Sequence, residues 1–246
     1  MTRGLYAVIG ATIYLIFFAT FLYLIAFVGN IAIVPRLIDS GPSAPVGTAL
    51  ATDAALIALF GVQHSVMARR GFKAAWTRIV PPALERSIYV LASSLVLIVL
   101  FYVWRPIPQA LWVVTNPIGR DLLWALFGLG WAIVLLSTFL INHFELFGLK
   151  QVWLNLTGKA EGQMRFRTPF LYRLVRHPLY SGFILALWAT PVMTLGHLVL
   201  AAGMTVYILI AISYEERDLV HAFGDEYRNY RKVTGMLIPG IGRRRV

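Results

Sequence analysis

The stretch from Arg176 to Glu216, RHPLYSGFILALWATPVMTLGHLVLAAGMTVYILIAISYEE, decides the fold. From Leu179 to Tyr214 it holds no Asp, Glu, Lys or Arg, and it is interrupted near its middle by Pro191 and Gly196-His197. Proline removes a backbone donor and bends or ends a helix. The run therefore divides into two arms. Arms of about 15 to 17 residues rise only roughly 23 to 26 Å each. That is short of the ~30 Å hydrocarbon core of a bilayer. The expectation is a helical hairpin of two short arms that need not fully span.

Toward the N-terminus, four more apolar runs are long enough to cross a membrane: Leu5–Gly29, Val46–Met67, Ser87–Trp104 and Leu122–Phe144. The first is too long for the apolar region of a signal peptide and is expected to be a retained helix. Proline and glycine mark the loops, at Pro35, Gly41, Pro42 and Pro45 after the first span and at Pro106, Pro108 and Pro117 after the third.

Composition agrees. Of 246 residues, 59% are hydrophobic and 13% charged, about half the charge of an ordinary soluble domain. This excludes a disordered chain, a fibrous repeat and a disulfide scaffold, and it argues against a water-soluble globule. There is no cysteine, hence no disulfide, thiolate metal site or cysteine nucleophile. The expected fold class is all-α: one domain over 1–246, a polytopic membrane helical bundle of four full spans plus the short C-terminal helical hairpin. The segment from Glu145 to Arg176 and the tail from Glu215 form a cytoplasmic helical cap.

The net charge of +11 orients that bundle. Arg36, Arg105 and Arg120 lie in the loops after spans one and three, and the other 19 of 22 basic residues lie on the opposite side. Basic residues collect on the cytoplasmic side, so both termini are expected there. The charge then needs no nucleic-acid partner, and the lipid bilayer is the partner it implies.

Ionisable groups at membrane depth are costly and are functional candidates by default. Gln63-His64-Ser65, Glu85-Arg86, Asn142-His143, Glu145, Arg176-His177 and Glu215-Glu216 all fall at the cytoplasmic level, which points to a pocket there. Each alone also fits ordinary helix-end chemistry. Asp53, near the outer end of span two, is expected to cap that helix or to pair with Arg36 or Arg120. The histidines at 64, 143, 177, 197 and 221 are scattered without metal-ligand spacing, and no metal is expected.

Two motifs go further. In Arg176-His177-Pro178-Leu179-Tyr180-Ser181-Gly182, proline suits the first turn of a helix. His177 would then sit at the cap, and Gly182 would admit a close neighbour. A helix N-terminus beside an arginine suits a carboxylate. The second motif is Tyr214-Glu215-Glu216-Arg217-Asp218-Leu219, with Phe223-Gly224-Asp225-Glu226-Tyr227-Arg228-Asn229-Tyr230 after it. Its glutamates suit an ammonium or a ribose, or an exposed acidic turn paired with the basic tail. Tyr227 and Tyr230 share a helix face and could stack on a purine or anchor at the interface.

The two motifs, ordered across an apolar hairpin, resemble the cofactor-binding unit of the isoprenylcysteine carboxyl methyltransferase family. The match covers about residues 176–240. The resemblance implies a membrane-embedded methyltransferase using S-adenosyl-L-methionine. Arg176, His177, Pro178, Tyr180, Gly182, Glu215 and Glu216 would line the cofactor, with Tyr227 and Tyr230 in the same pocket, while 1–145 forms the substrate-side bundle. Gln63-His64-Ser65-Val66-Met67-Ala68-Arg69 and Glu85-Arg86-Ser87-Ile88-Tyr89 depart from the prenyl-specific enzymes. They resemble the bacterial branch of small-thiol methyltransferases and NnrU-like membrane proteins, within it the methanethiol S-methyltransferases, which make dimethyl sulfide. This implies a bacterial inner-membrane enzyme acting on a small-molecule thiol.

For that chemistry a thiolate would attack the sulfonium methyl in line, aided by a dry site and by close positioning. A free thiol is mostly protonated at neutral pH, so a base or cation is expected near the sulfur. His64 is the first candidate base, with His143 a weaker one. Arg86 would favour the thiolate, oriented by Glu85 or Tyr89. Other acceptors remain open: a prenylcysteine carboxylate, a phospholipid amine or a larger thiol. So does a non-catalytic NnrU-like role, which predicts loss of cofactor motifs that are intact here.

Overall fold

A computed structural model describes residues 2–160, 162 and 165–243. In chain order the elements are α1 (Thr2–Val28), α2 (Val46–Ala68), α3 (Arg70–Trp76), α4 (Pro82–Val103), β1 (Ala110–Val113), α5 (Pro117–Ile141), α6 (His143–Leu146), α7 (Leu149–Thr157), α8 (Leu171–Leu174), α9 (Pro178–Trp188), β2 (Val192–Thr194), α10 (Leu195–Phe223) and α11 (Asp225–Val233). Five of these helices, α1, α2, α4, α5 and α10, are long and apolar enough to cross a membrane. The all-α polytopic bundle is borne out, and the chain is an integral membrane protein.

The boundaries differ from the apolar runs where proline starts a helix early. α4 opens on Pro82 and α5 on Pro117, so Glu85, Arg86, Arg120 and Asp121 lie inside these helices rather than before them. Hydropathy marks the part of a helix that meets lipid, whereas proline at the first helical position marks where the helix begins.

The hairpin arms are unequal. α9 has 11 residues and α10 has 29, rises of about 16 and 44 Å. The break at Ala189–Pro191 sits close to α9, and Thr194 Oγ1 accepts from His197 N at 3.1 Å to cap the start of α10. α10 then continues through Glu215-Glu216 to Phe223, so the acidic pair is helical and is not an exposed turn after the hairpin. β1 pairs with β2 in a two-stranded ribbon, and Val114 N donates to Pro191 O at 2.8 Å. The ribbon gives hydrogen-bond partners to backbone that the break removes from a helix.

The chain divides into two compact units. The first comprises Met1–Gln109, His143–Gly162 and Thr194–Leu200. In it α4 lies along α1 and α2, and α7 lies along α1. Gly10 permits the last contact, because a Cβ there would stand 2.8 Å from the Val152 side chain. Gly148, with φ of 89°, admits Ser87 so closely that a Cβ would lie 2.8 Å from Ser87 N. Asp53 is fully buried and accepts from Arg105 N at 2.9 Å. This corrects the expected partners Arg36 and Arg120: the carboxylate holds the backbone that leaves α4.

The second unit comprises Ala110–Asn142, Gln163–Met193 and Ala201–Val246. The fourth span, α5, falls here and packs along α9. The crossing is set by two glycines. A Cβ on Gly130 would meet Ala186 N at 2.6 Å, and one on Gly182 would meet Gly130 O at 2.7 Å. Backbones touch only where side chains are absent, as in small-residue packing of membrane helices. The close neighbour that Gly182 admits on this side is therefore α5.

Candidate functional site

In the second unit, Arg176 and His177 enter α9. His177 is the N-cap residue and Pro178 follows in the first turn, as the spacing predicted. The segment after α11 runs beside them: Arg176 N donates to Gly235 O at 2.8 Å and His177 N to Met236 O at 3.1 Å. The Arg176 side chain is 1% exposed. Its Nε donates to Glu216 Oε1 at 2.7 Å, and Nη1 donates to the carbonyls of Thr234, Gly242 and Arg231. Arg231 Nε lies 3.3 Å from Glu216 Oε2, and His177 Nε2 lies 3.3 Å from Glu216 Oε1. The carboxylate beside this arginine and helix N-terminus is thus the chain's own. A buried charge is tolerated only with this density of partners.

Consecutive helical residues point about 100° apart, and the two glutamates divide accordingly. Glu216 is buried, while the Glu215 side chain is 44% exposed. Tyr180 Oη donates to Glu215 Oε2 at 2.9 Å, and His177 Nδ1 stands 3.9 Å from the same oxygen. Beside them is an aromatic group. Phe166 packs edge-on against Tyr227 at 5.8 Å and Tyr230 at 5.3 Å, with Phe223 at 5.4 Å. Tyr227 is 2% exposed, and its hydroxyl has no hydrogen-bond partner among the described residues. Tyr230 Oη donates to Tyr172 O.

Burial pushes the Tyr230 phenol up to about 12 against the opposing pull of Arg176. Burial likewise raises Tyr172 and Tyr227, helped by the nearby glutamate charges. All three are neutral donors at physiological pH. An accessible carboxylate, a buried unsatisfied hydroxyl and flat aromatic faces form one cluster. That set suits a ligand with hydroxyl or ammonium donors and a planar ring.

In the first unit, α2 and α4 bring His64 against Tyr89 and Ser93. His64 Nδ1 lies 3.1 Å from Ser93 Oγ, and Tyr89 Oη donates to His64 O at 3.3 Å. The imidazole stacks on Phe60 at 5.2 Å and is tilted against Tyr89 at 5.0 Å. The Arg86 guanidinium stands over the Tyr89 ring at 5.6 Å, a cation–π arrangement. Glu85 stays in the first turn of α4, where its charge complements the helix dipole. Among the described residues no hydrogen bond joins it to Arg86 or His64. His143, the other candidate base, is hydrogen-bonded through Nε2 to Tyr14 Oη at 2.8 Å and packed edge-on against Phe144 and Phe147.

A family model described as NnrU protein matches residues 54–240. The chain belongs to the NnrU family. It is 54% identical over 239 residues to a protein of Mycobacterium tuberculosis named methanethiol S-methyltransferase, covering 97% of this chain and 98% of that one. Proteins with the same name from Crocosphaera subtropica and Pseudomonas deceptionensis are 48% and 54% identical. They cover 99% and 88% of this chain, and 95% and 82% of their own. No solved structure matches.

This NnrU-family chain brings Arg176, His177, Tyr180, Glu215, Glu216, Tyr227 and Tyr230 together in one unit, and His64, Arg86 and Tyr89 in the other. Pro178 and Gly182 serve the start of α9 and its packing on α5. Sequence reasoning missed Ser93, Phe60, Phe166, Tyr172 and Arg231. Ser93 was within reach, since 86, 89 and 93 follow one helix face. Phe166 lies in irregular backbone with no periodicity to flag it. Among the described residues, no group of three or more His, Cys, Asp or Glu could hold a metal ion.

Proposed function

We propose that this chain methylates methanethiol to dimethyl sulfide, with S-adenosyl-L-methionine as donor, in a bacterial inner membrane with both termini cytoplasmic. The acceptor is inferred from the near full-length likeness to proteins named for it. The structural observation that carries the donor assignment is Tyr227 Oη. It is a buried hydroxyl without a partner among the described residues, beside the half-exposed Glu215. Leaving such a group unpaired costs about 1–3 kcal/mol, which a bound donor molecule would recover.

S-adenosyl-L-methionine, when bound, supplies an electrophilic methyl group on a sulfonium. Glu215, aligned by Tyr180, accepts hydrogen bonds from its hydroxyl or ammonium groups. Tyr230 and Phe166 would offer ring surface to a purine, with the Tyr227 ring packed behind them. Arg176, His177 and Arg231 hold Glu216, and through it the rotation of α10 that presents Glu215. In the first unit, His64 accepts the proton of the thiol as the S–H bond breaks, and it returns that proton to water after turnover. The positive charge of Arg86 favours the thiolate over the thiol. An ordinary thiol, with a pKa of about 8.5, is only a few per cent ionised at pH 7, so both roles raise the nucleophile's concentration.

The test is product analysis with purified protein in nanodiscs, supplied with S-adenosyl-L-methionine and a panel of acceptors. Dimethyl sulfide from methanethiol, with no methylated prenylcysteine or lipid, is expected. Methylation of a larger acceptor with none of methanethiol overturns the assignment.

A further inference from the structure

We propose that Ser93 is a positioning residue: its hydroxyl holds His64 in the Nδ1–H tautomer, so that Nε2 is the nitrogen that accepts a proton. The inference rests on the reading of His64 as base for its catalytic consequence, but the tautomer itself stands on geometry alone.

Ser93 Oγ has two close polar neighbours, Tyr89 O at 3.1 Å and His64 Nδ1 at 3.1 Å. A hydroxyl has one proton and two lone pairs. Tyr89 O is a carbonyl and can only accept, whereas Nδ1 donates or accepts according to tautomer. Both contacts are hydrogen bonds in one arrangement only. Ser93 donates to Tyr89 O, the usual back-bond of a serine to the residue four earlier in a helix. Its lone pair then receives Nδ1–H from His64. The reverse assignment, Ser93 donating to Nδ1, forfeits the side-chain bond to Tyr89 O and so makes one hydrogen bond where the first makes two.

The ring cannot readily turn to escape this choice. Phe60 and Tyr89 pack against it, and Tyr89 Oη ties the His64 carbonyl to the same helix that carries Ser93. A half-turn of the imidazole would place a carbon opposite Ser93 Oγ and lose the contact. Free histidine in water favours Nε2–H, the opposite tautomer, so the assignment has a measurable signature. It is the logic by which a second side chain fixes the tautomer of a catalytic histidine, with a hydroxyl in place of the more common carboxylate. Ser93 touches neither substrate nor donor in this scheme and acts through His64.

The tautomer is read by nitrogen NMR of protein labelled with 15N-histidine, in detergent, above the pH at which the ring titrates. The His64 signals are assigned by their loss in His64→Gln. Expected are a protonated Nδ1 and an unprotonated Nε2 in the native protein, the same in Ser93→Thr, and a shift toward Nε2–H in Ser93→Ala. A native His64 carrying its proton on Nε2, or a spectrum unchanged in Ser93→Ala, overturns the proposal. In parallel, kcat with methanethiol should fall about 10- to 100-fold in Ser93→Ala. Donor affinity should be unchanged, and Ser93→Thr should restore turnover. Full turnover in Ser93→Ala alongside an inactive His64→Gln overturns the positioning role while leaving the base reading intact. Full turnover in His64→Gln refutes the base reading, and the NMR result then still decides the tautomer.

Discussion

Arg176 Nε donates to Glu216 Oε1 over 2.7 Å, and neither side chain is more than 4% exposed. Removing one partner of such a pair leaves an uncompensated buried charge, at a cost of about 3–5 kcal/mol. Glu216→Gln strips the charge that Arg176 and Arg231 share, so a clear loss of thermal stability is expected in detergent. Glu215→Gln, one residue away and half-exposed, should leave the melting temperature within a degree or two. Its expected loss is about tenfold in donor affinity, since hydrogen bonds to a charged group contribute about 1.5–3 kcal/mol. Equal melting temperatures for the two variants would contradict the division of labour.

Tyr227→Phe separates folding from binding in another way. The hydroxyl is buried and lacks a partner among the described residues, so deleting it should leave the ligand-free protein as stable or more stable by up to about 1 kcal/mol. Affinity for S-adenosyl-L-methionine should nevertheless fall. Calorimetric titration beside a thermal melt reads both, and a variant that loses stability but keeps affinity contradicts the assignment.

Gly130→Ala and Gly182→Ala should each destabilise the second unit by about 1–3 kcal/mol, the usual cost of overpacking. The added methyl meets backbone at 2.6 to 2.8 Å in both cases, and backbone cannot move aside as a side chain can. Gly128, whose added methyl meets nothing within 4 Å, is the control: Gly128→Ala should be neutral or mildly stabilising in its helix. Thermal melts of the three variants check the ordering.

Acid should weaken the fold through His143. Burial lowers its affinity for protons below the ordinary histidine value of 6.5, so the unfolded chain binds the proton more readily. Its contribution is therefore complete above about pH 6.5 and is lost as pH falls from there through the lowered value of the folded protein. His143→Asn keeps a polar group near Tyr14 and removes the titration. A flatter fall in melting temperature between pH 7 and 5 is expected, and an unchanged slope would refute the role.

The spans were legible because a bilayer demands long apolar runs, and α1, α2, α4 and α5 follow those runs closely. α10 was underestimated for the same reason: hydropathy stops at Tyr214, whereas the helix carries on through Glu215-Glu216, whose ion pair favours it. The start of α9 was legible from His177-Pro178 because proline has one comfortable place in a helix. What Gly182 faces was not, since a glycine announces that something comes near without saying what. Nor was the engagement of Arg176 by Thr234 and Gly242, because carbonyl partners leave no trace in side-chain identity. Ser93 stayed hidden as one of three serines in an apolar helix, where serine is most often a simple back-bonder.

The neighbouring positions of Glu215 and Glu216 give the ion pair one more consequence. A helix packed mainly by aliphatic side chains can roll about its axis at small cost, and each residue of roll turns it by about 100°. Arg176, His177 and Arg231 grip one tooth of α10, and the next tooth is the acid that faces outward. The buried pair thus works as a detent that indexes the helix. Substitutions along the lipid-facing side of α10 can accumulate without changing which glutamate is presented.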